Sequence, residues 1–409
     1  MDRLDPILAH TLARRRLLAT GALGLVGSAA LAQSGKLAQI LTATGSEPRP
    51  FTSAFPGKGE MILQRNRPPL LETPMRVFDE HVFTPNDRFF VRWHWADIPL
   101  QVDADAFRLQ ITGGRKPLSL SLPELLKLPR LSYAAVNQCS GNSRALFNPR
   151  VPGAQWAHGA MGNAMWEGVA LKTLLDMAGV DLAKSSVRFG GLDKPLTQVD
   201  DFEKSLSLDH AMDGEVMVAF AMNGEQLPLL NGFPLRLIVP GWFSTYWVKS
   251  LDHIDLFAGK DTNYWMAKAY QIPSAPRANV APGTSEFAKV PISVMTARSW
   301  LTSVEPGARV PFAATLPVRG IAMGGDTGVK RVEVSADGGK TWRDARVGND
   351  EGQYGFRRFE ADLPLAAKGP ATLMSRCTNA AGAVQPLKAN WNPGGYMRDC
   401  VEPCTVEIV

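Results

Sequence analysis

The chain has 409 residues, 45% of them hydrophobic and 20% charged, enough to bury a large core and, by length, to divide into two or three domains. Its formal net charge is +5, and Arg3, Arg14, Arg15 and Arg16 against Asp2 and Asp5 account for two of those charges; the remainder is too weak a bias to argue for nucleic acid. No Gly-x-Gly-x-x-Gly follows a strand, and there is no P-loop, His-Glu-x-x-His, Gly-x-Ser-x-Gly or Cys-x-x-Cys-His, which argues against the common nucleotide, zinc-hydrolase and serine-hydrolase sites and against a covalent c-type haem.

Residues 1–32 carry Arg14-Arg15-Arg16, an apolar run from Ala19 to Ala29 and a small-x-small ending at Ala30-Leu31-Ala32. This reads as a twin-arginine signal, so export of a folded, cofactor-loaded protein to the periplasm is expected. The run is too short and glycine-rich to span a bilayer, and no membrane span is expected. Residues 33–85 are proline-rich and read as an N-terminal arm laid over a domain. Asp87 to Trp95 mixes aromatic and β-branched residues and predicts a strand with Arg92 and His94 on one face. Two polar groups among aromatics imply either a buried ion pair or an anion site.

Ser121-Leu122-Pro123-Glu124 has capping-box spacing and predicts a short helix through Leu128. Next comes Asn137-Gln138-Cys139-Ser140-Gly141-Asn142-Ser143-Arg144, with one of only four cysteines in the chain. The other three, Cys377, Cys400 and Cys404, lie far downstream, so Cys139 has no local partner and is either an inert buried thiol or a reactive one. Its glycine-containing polar turn is a poor place for a residue kept only for packing. A helix is predicted from Gly168 to Ala178 with Gly179 as its stop, then strands at Ser186–Phe189 and Glu215–Met222, the latter turning through Asn223-Gly224. Asn231 to Trp242 predicts a strand closed by Pro240-Gly241, and Thr245 to Leu251 its neighbour.

Short strands mixed with short helices predict an α+β domain over 86–275. Residues 276–289 read as a linker. Over 290–409, repeated short strands with turn signals predict an immunoglobulin-like β-sandwich. Cys400 and Cys404, four apart in an exported chain, have a spacing that permits a small disulfide. The six histidines are scattered singly, which argues against a multi-histidine metal site. A Cys-His hydrolase built from Cys139 with His94 or His158 stays open. Four cations near aromatics, Arg92, Arg144, Arg236 and Lys249, point instead to a buried polyanionic ligand.

Phe89-Phe90-Val91-Arg92-Trp93-His94, the Cys139–Arg144 loop, and Gly232-Phe233-Pro234-Leu235-Arg236 through Lys249 together resemble the sulfite oxidase family of molybdenum enzymes, above all its bacterial exported sulfite dehydrogenases. The resemblance runs from about Arg67 to the C-terminal strands. It implies an α+β molybdopterin-binding domain followed by an immunoglobulin-like dimerisation domain, with molybdenum held by one molybdopterin and by the thiolate of Cys139. It implies that Arg92 and Arg144 bind an oxyanion beside Tyr270, that Trp156 walls the pocket, and that His94 borders both substrate and cofactor. Phe90, Arg92, Asp193, Asn231, Arg236, Trp247 and Lys249 are implied as cofactor contacts, Asn231 standing where the animal enzymes carry histidine. The implied reaction is oxidation of sulfite to sulfate, with electrons passed to a separate c-type cytochrome and the chain in a homodimer or heterodimer. The alternatives are a sulfane dehydrogenase subunit, a periplasmic molybdenum sulfoxide reductase, or a non-enzymatic binding subunit.

Overall fold

The computed structural model describes residues 37–181 and 183–409; the segment read as a twin-arginine signal lies outside the described residues. The stretch expected as an arm is built into a sheet instead. Leu37–Thr42, Gly45–Thr52, Met61–Arg65 and Leu70–Glu72 form an antiparallel meander whose fifth strand is Val91–Arg92, paired Leu70↔Arg92 and Leu71↔Val91. Its prolines fall at strand ends and turns as well as inside Gly45–Thr52, which lies beside the outermost strand. The strand expected over Asp87–Trp95 shortens to those two residues. Arg92 is nonetheless anchored by backbone pairing close to the core residues Phe90 and Val91.

Two further sheets complete the first domain. One runs Lys204–Ser207, Ser186–Gly191, Leu251–Phe257, Arg108–Thr112 and Leu118–Ser121; the other runs Glu225–Gln226, Met217–Met222, Met161–Ala170 and Arg130–Gln138, with Arg236–Ile238 beside Met217–Met222. Helices are fewer and shorter than the α+β expectation suggests. Among the described residues the longest α-helix is Leu171–Ala178, eight residues that bury Leu171, Leu174, Leu175 and Ala178. Each buried leucine stabilises by roughly 1.5–3 kcal/mol, which is why so short a helix holds. Gly179, at φ 69°, ends it as its position predicts. The capping box forms at Ser121, where Glu124 accepts from the Ser121 backbone at 2.8 Å, but the helix stops at Leu125.

The expected strand pair at Asn231–Trp242 and Thr245–Leu251 is also reduced. Only Arg236–Ile238 is a strand, and it meets the second segment through a single bridge, Arg236↔Lys249. Three-residue turns at Leu229–Asn231 and Ser244–Tyr246 occupy the flanks. The expected linker is tied at its ends: Gln271–Pro273 pairs with Lys289–Pro291, and Arg277 grips Asp399 with both arms at 2.7 and 2.5 Å.

The second domain is two sheets over one core. Arg298–Leu301, Thr315–Met323, Arg357–Pro364 and Arg346–Val347 form one sheet; Arg309–Val310, Cys404–Ile408, Gly369–Asn379, Val329–Ser335 and Arg343–Asp344 form the other. Val318, Phe359 and Leu363 from the first meet Val332, Val334, Leu373 and Val406 from the second. All four cysteines are free and buried, so the Cys400–Cys404 disulfide does not form. Cys404 opens a strand, and its thiol turns to the carbonyl of Val304 at 3.5 Å. No helix among the described residues is long and apolar enough to cross a membrane.

Candidate functional site

Cys139 follows directly on the strand Arg130–Gln138, and its N–H continues that ladder by donating to Ala160 at 2.9 Å. The loop then closes on itself: Asn142 N–H donates to the Cys139 carbonyl at 2.9 Å, Arg144 N–H to Gly141 at 3.0 Å, and Ser143 adopts φ 67°. The thiol is thereby held at a cavity lined by Phe90, Arg92, His94, Arg236, Lys249 and Tyr270, together with Asn231, Trp247 and several small polar residues. No carboxylate is in that lining among the described residues. Three cations without a counter-charge are costly to bury unless an anion joins them.

Their protonation equilibria record the strain. Burial, reinforced by Arg236, pulls the Lys249 ammonium down to about 7 although Asp193 opposes it, and burial brings Arg236 to about 9. Arg236 donates to the Asn231 carbonyl at 3.0 Å and to Asn137 Oδ1 at 3.1 Å, and Lys249 lies 4.3 Å above the Trp93 ring. Asp193 sits outside the lining, buried, its carboxyl raised to about 6 by desolvation against the pull of Lys249. Burial and then Arg92 push His94 well below its ordinary range, so it is neutral. Its Nε2 lies 2.6 Å from the Tyr270 hydroxyl and its ring stacks on Phe202 at 3.6 Å. Desolvation raises the Tyr270 hydroxyl above its usual value, so that hydroxyl keeps its proton.

Six lining residues carry a buried polar atom with no partner: Arg92 Nη1, His94 Nδ1, Asn137 Nδ2, Ser140 Oγ, Arg236 Nε and Thr245 Oγ1. Such atoms are rare in folded proteins, and their concentration around one cavity marks a place built for a polar ligand. Arg144 and Trp156 are not in the lining. Arg144 is committed to backbone carbonyls, Nε and Nη2 to Gly394 at 3.2 and 3.0 Å and Nη1 to Ala154 at 3.2 Å; Trp156 is fully buried behind that loop. The Cys-His pair does not form. His94 is engaged by Tyr270 and His158 by Ser143 at 2.8 Å, and neither bonds the Cys139 thiol among the described residues.

Several contributors were not expected. Lys58, in the segment read as an N-terminal arm, donates to Asn86 and Phe89 carbonyls at 2.8 and 2.9 Å and to Asn231 Oδ1 at 2.6 Å. Asn231 in turn donates to Phe90 at 3.1 Å, so its amide is occupied in holding the Phe90 segment. Lys204 is buried with its ammonium 5.3 Å from the Tyr270 ring centre and lowered to about 7 by desolvation. A lone lysine in a strand gives no sequence signal for such a place. Tyr396 of the second domain stacks on Tyr270, and the two glycines before it were its one legible sign.

A buried thiol, three cations and orphaned donors around a carboxylate-free cavity define a site for an anionic, thiol-ligated cofactor. Residues 95–265 match the model described as the oxidoreductase molybdopterin binding domain, and residues 289–407 match the Mo-co oxidoreductase dimerisation domain. Mitochondrial sulfite oxidase of Rattus norvegicus is 32% identical over 365 residues, 85% of this chain and 65% of its own, so the chain spans just under two thirds of that relative. Sulfite oxidase of Gallus gallus is 31% identical over 365 residues, 85% of this chain and 78% of its own. The sulfane dehydrogenase SoxCD from Paracoccus pantotrophus superposes with a TM-score of 0.72 at 26% identity, covering 88% of each chain. The chain belongs to the sulfite oxidase family. The donor set fits a molybdenum–molybdopterin group: a soft thiolate for the metal, and cations with free N–H groups for a pterin phosphate.

Proposed function

We propose that this chain oxidises sulfite to sulfate in the periplasm and delivers the electrons to a separate c-type cytochrome. The observation that carries the reading is the Cys139 thiol at a cavity lined by Arg92, Arg236 and Lys249 without a carboxylate. Cys139 would ligate the metal, and Asn137, Arg236, Trp247 and Lys249 would hold the pterin, with Asp193 behind Lys249. When bound, the group supplies a high-valent metal that accepts two electrons from a sulfur lone pair.

The chain's own residues then act on the substrate. Arg92 brings a charge and an unpartnered N–H to an oxyanion, orienting it by charge-assisted hydrogen bonds. Tyr270 and His94, 2.6 Å apart and both uncharged, add hydrogen-bonding capacity without adding charge. Phe202 and Phe90 give that side of the cavity an apolar wall. A steady-state assay with sulfite and ferricytochrome c tests the reading, and metal analysis underlies it: less than about a tenth of a molybdenum per chain from a cofactor-competent host would remove it.

A second reading, oxidation of a sulfane-type sulfur, is favoured by one feature. Arg144 has three of its N–H groups on carbonyls and lies outside the lining, so the cavity offers an anion fewer free guanidinium donors than two clamps would. Turnover of a sulfane-bearing thiol with none of sulfite would select it.

A further inference from the structure

Arg144 and Tyr270 both pack against one ring that belongs to neither of their segments. Tyr396, from the second domain, has the Arg144 guanidinium 5.1 Å from its centroid and stacks on Tyr270 with centroids 5.5 Å apart and planes 25° from parallel. Tyr270 itself sits at φ 56°, a conformation a tyrosine adopts only when its surroundings hold it there.

The Tyr396 backbone is fixed with corresponding care. Asn392 accepts from its N–H at 3.0 Å and donates to its carbonyl at 2.9 Å, while the next residue, Met397, donates to Ser140 in the Cys139 loop at 3.1 Å. Gly394 and Gly395 make the approach feasible. A Cβ on Gly394 would fall 2.5 Å from the Tyr396 ring, and one on Gly395 2.9 Å from the Arg144 guanidinium.

We infer that Tyr396 is a positioning residue of the anion site: braced by the Arg144 guanidinium and stacked on Tyr270, it fixes the Tyr270 ring whose hydroxyl borders the cavity. The inference rests on the proposed anion-oxidising site and deepens it. A guanidinium lying on an aromatic face keeps its plane fixed, and the ring face does this work rather than the hydroxyl.

The test uses the cofactor-loaded protein and inorganic sulfate, whose binding is read by calorimetry without turnover. Tyr396→Leu is expected to weaken sulfate binding at least tenfold and to raise the sulfite KM by a similar factor with kcat changed less than threefold. Tyr396→Phe, which keeps the ring face, is expected within about threefold of the parent in both. Pterin content and thermal midpoint are measured alongside, and Tyr396→Met replaces the leucine variant if that variant loses either. Unchanged sulfate affinity in Tyr396→Leu, or a phenylalanine variant as impaired as the leucine one, would overturn the inference. A parent protein that binds sulfate but does not oxidise sulfite would sink the proposed reaction while the sulfate data still decide the positioning role; a parent that oxidises sulfite with no KM change in Tyr396→Leu would overturn the positioning role alone.

Discussion

At the scale of single residues, the site turns on a sulfur and a guanidinium that have different jobs and should fail differently. Cys139→Ser removes a soft donor while keeping size and hydrogen bonding, and the loop's bonds run through backbone atoms, so the fold should survive. Oxidation should fall below detection with the thermal midpoint within a few degrees; measurable turnover by metal-loaded Cys139→Ser would refute the ligand assignment. Arg92→Gln loses one charge-assisted contact, worth roughly 1.5–3 kcal/mol, or about ten- to a hundredfold in sulfite KM. Its backbone pairing with Leu70 is untouched, so stability should hardly move. An unchanged KM would take Arg92 out of the pocket.

At the scale of elements, the residues that touch the ligand were easier to read than the ones that hold them. Arg92, Arg236 and Lys249 stand out because charges in apolar runs need a partner, and Cys139 because a lone thiol sits in a polar turn; all four line one cavity. Strand lengths were over-read at Asp87–Trp95 and Thr245–Leu251. There β-branched and aromatic residues pack onto the cavity wall from turns, a placement that local propensity cannot distinguish from a strand. Lys58 was invisible because its partners Asn86, Phe89 and Asn231 are 28, 31 and 173 residues away. Lys58→Met should therefore leave three acceptors short of a donor and lower stability by about 1–3 kcal/mol, with pterin content falling as Asn231 and Phe90 loosen; denaturant unfolding and pterin fluorescence check it, and no change in either would make Lys58 incidental. Gly232 gives the complementary case. It sits at φ 113° with its missing Cβ 3.1 Å from the Lys249 side chain, so Gly232→Val should displace that cation and at least halve retained pterin.

Across the whole molecule, the two domains also meet beside the Cys139 loop, through a buried charge cluster. Arg298 donates to Ser143 at 3.2 Å and to Glu402 at 3.0 Å, Arg398 grips Glu402 at 2.8 and 3.0 Å and the Leu146 carbonyl at 3.0 Å, and Ser143 also meets His158. Burial alone would raise the Glu402 carboxyl, but Arg398 and Arg298, joined by His158 only once it is protonated in acid, outweigh it and hold it at about 2. His158 stays neutral, burial pulling it to about 4, and burial likewise lowers Arg298 despite Glu402; the carboxylate, facing two arginines, gains more than either of them does. A carboxyl lower in the folded than in the unfolded chain contributes stability that is fully present above the unfolded value near 4.5. That contribution is lost as pH falls through the folded value of about 2. The contribution is on the order of 3 kcal/mol. Glu402→Gln should therefore lower stability by about that much at pH 7 and by progressively less between pH 4.5 and pH 2, the two unfolding curves converging in acid. Because the cluster braces Ser143 and Leu146, the same variant should loosen the Cys139 loop and raise the sulfite KM before it affects the second domain's own core. Parallel stability curves down to pH 2 would show that Glu402 does not carry the junction's acid sensitivity.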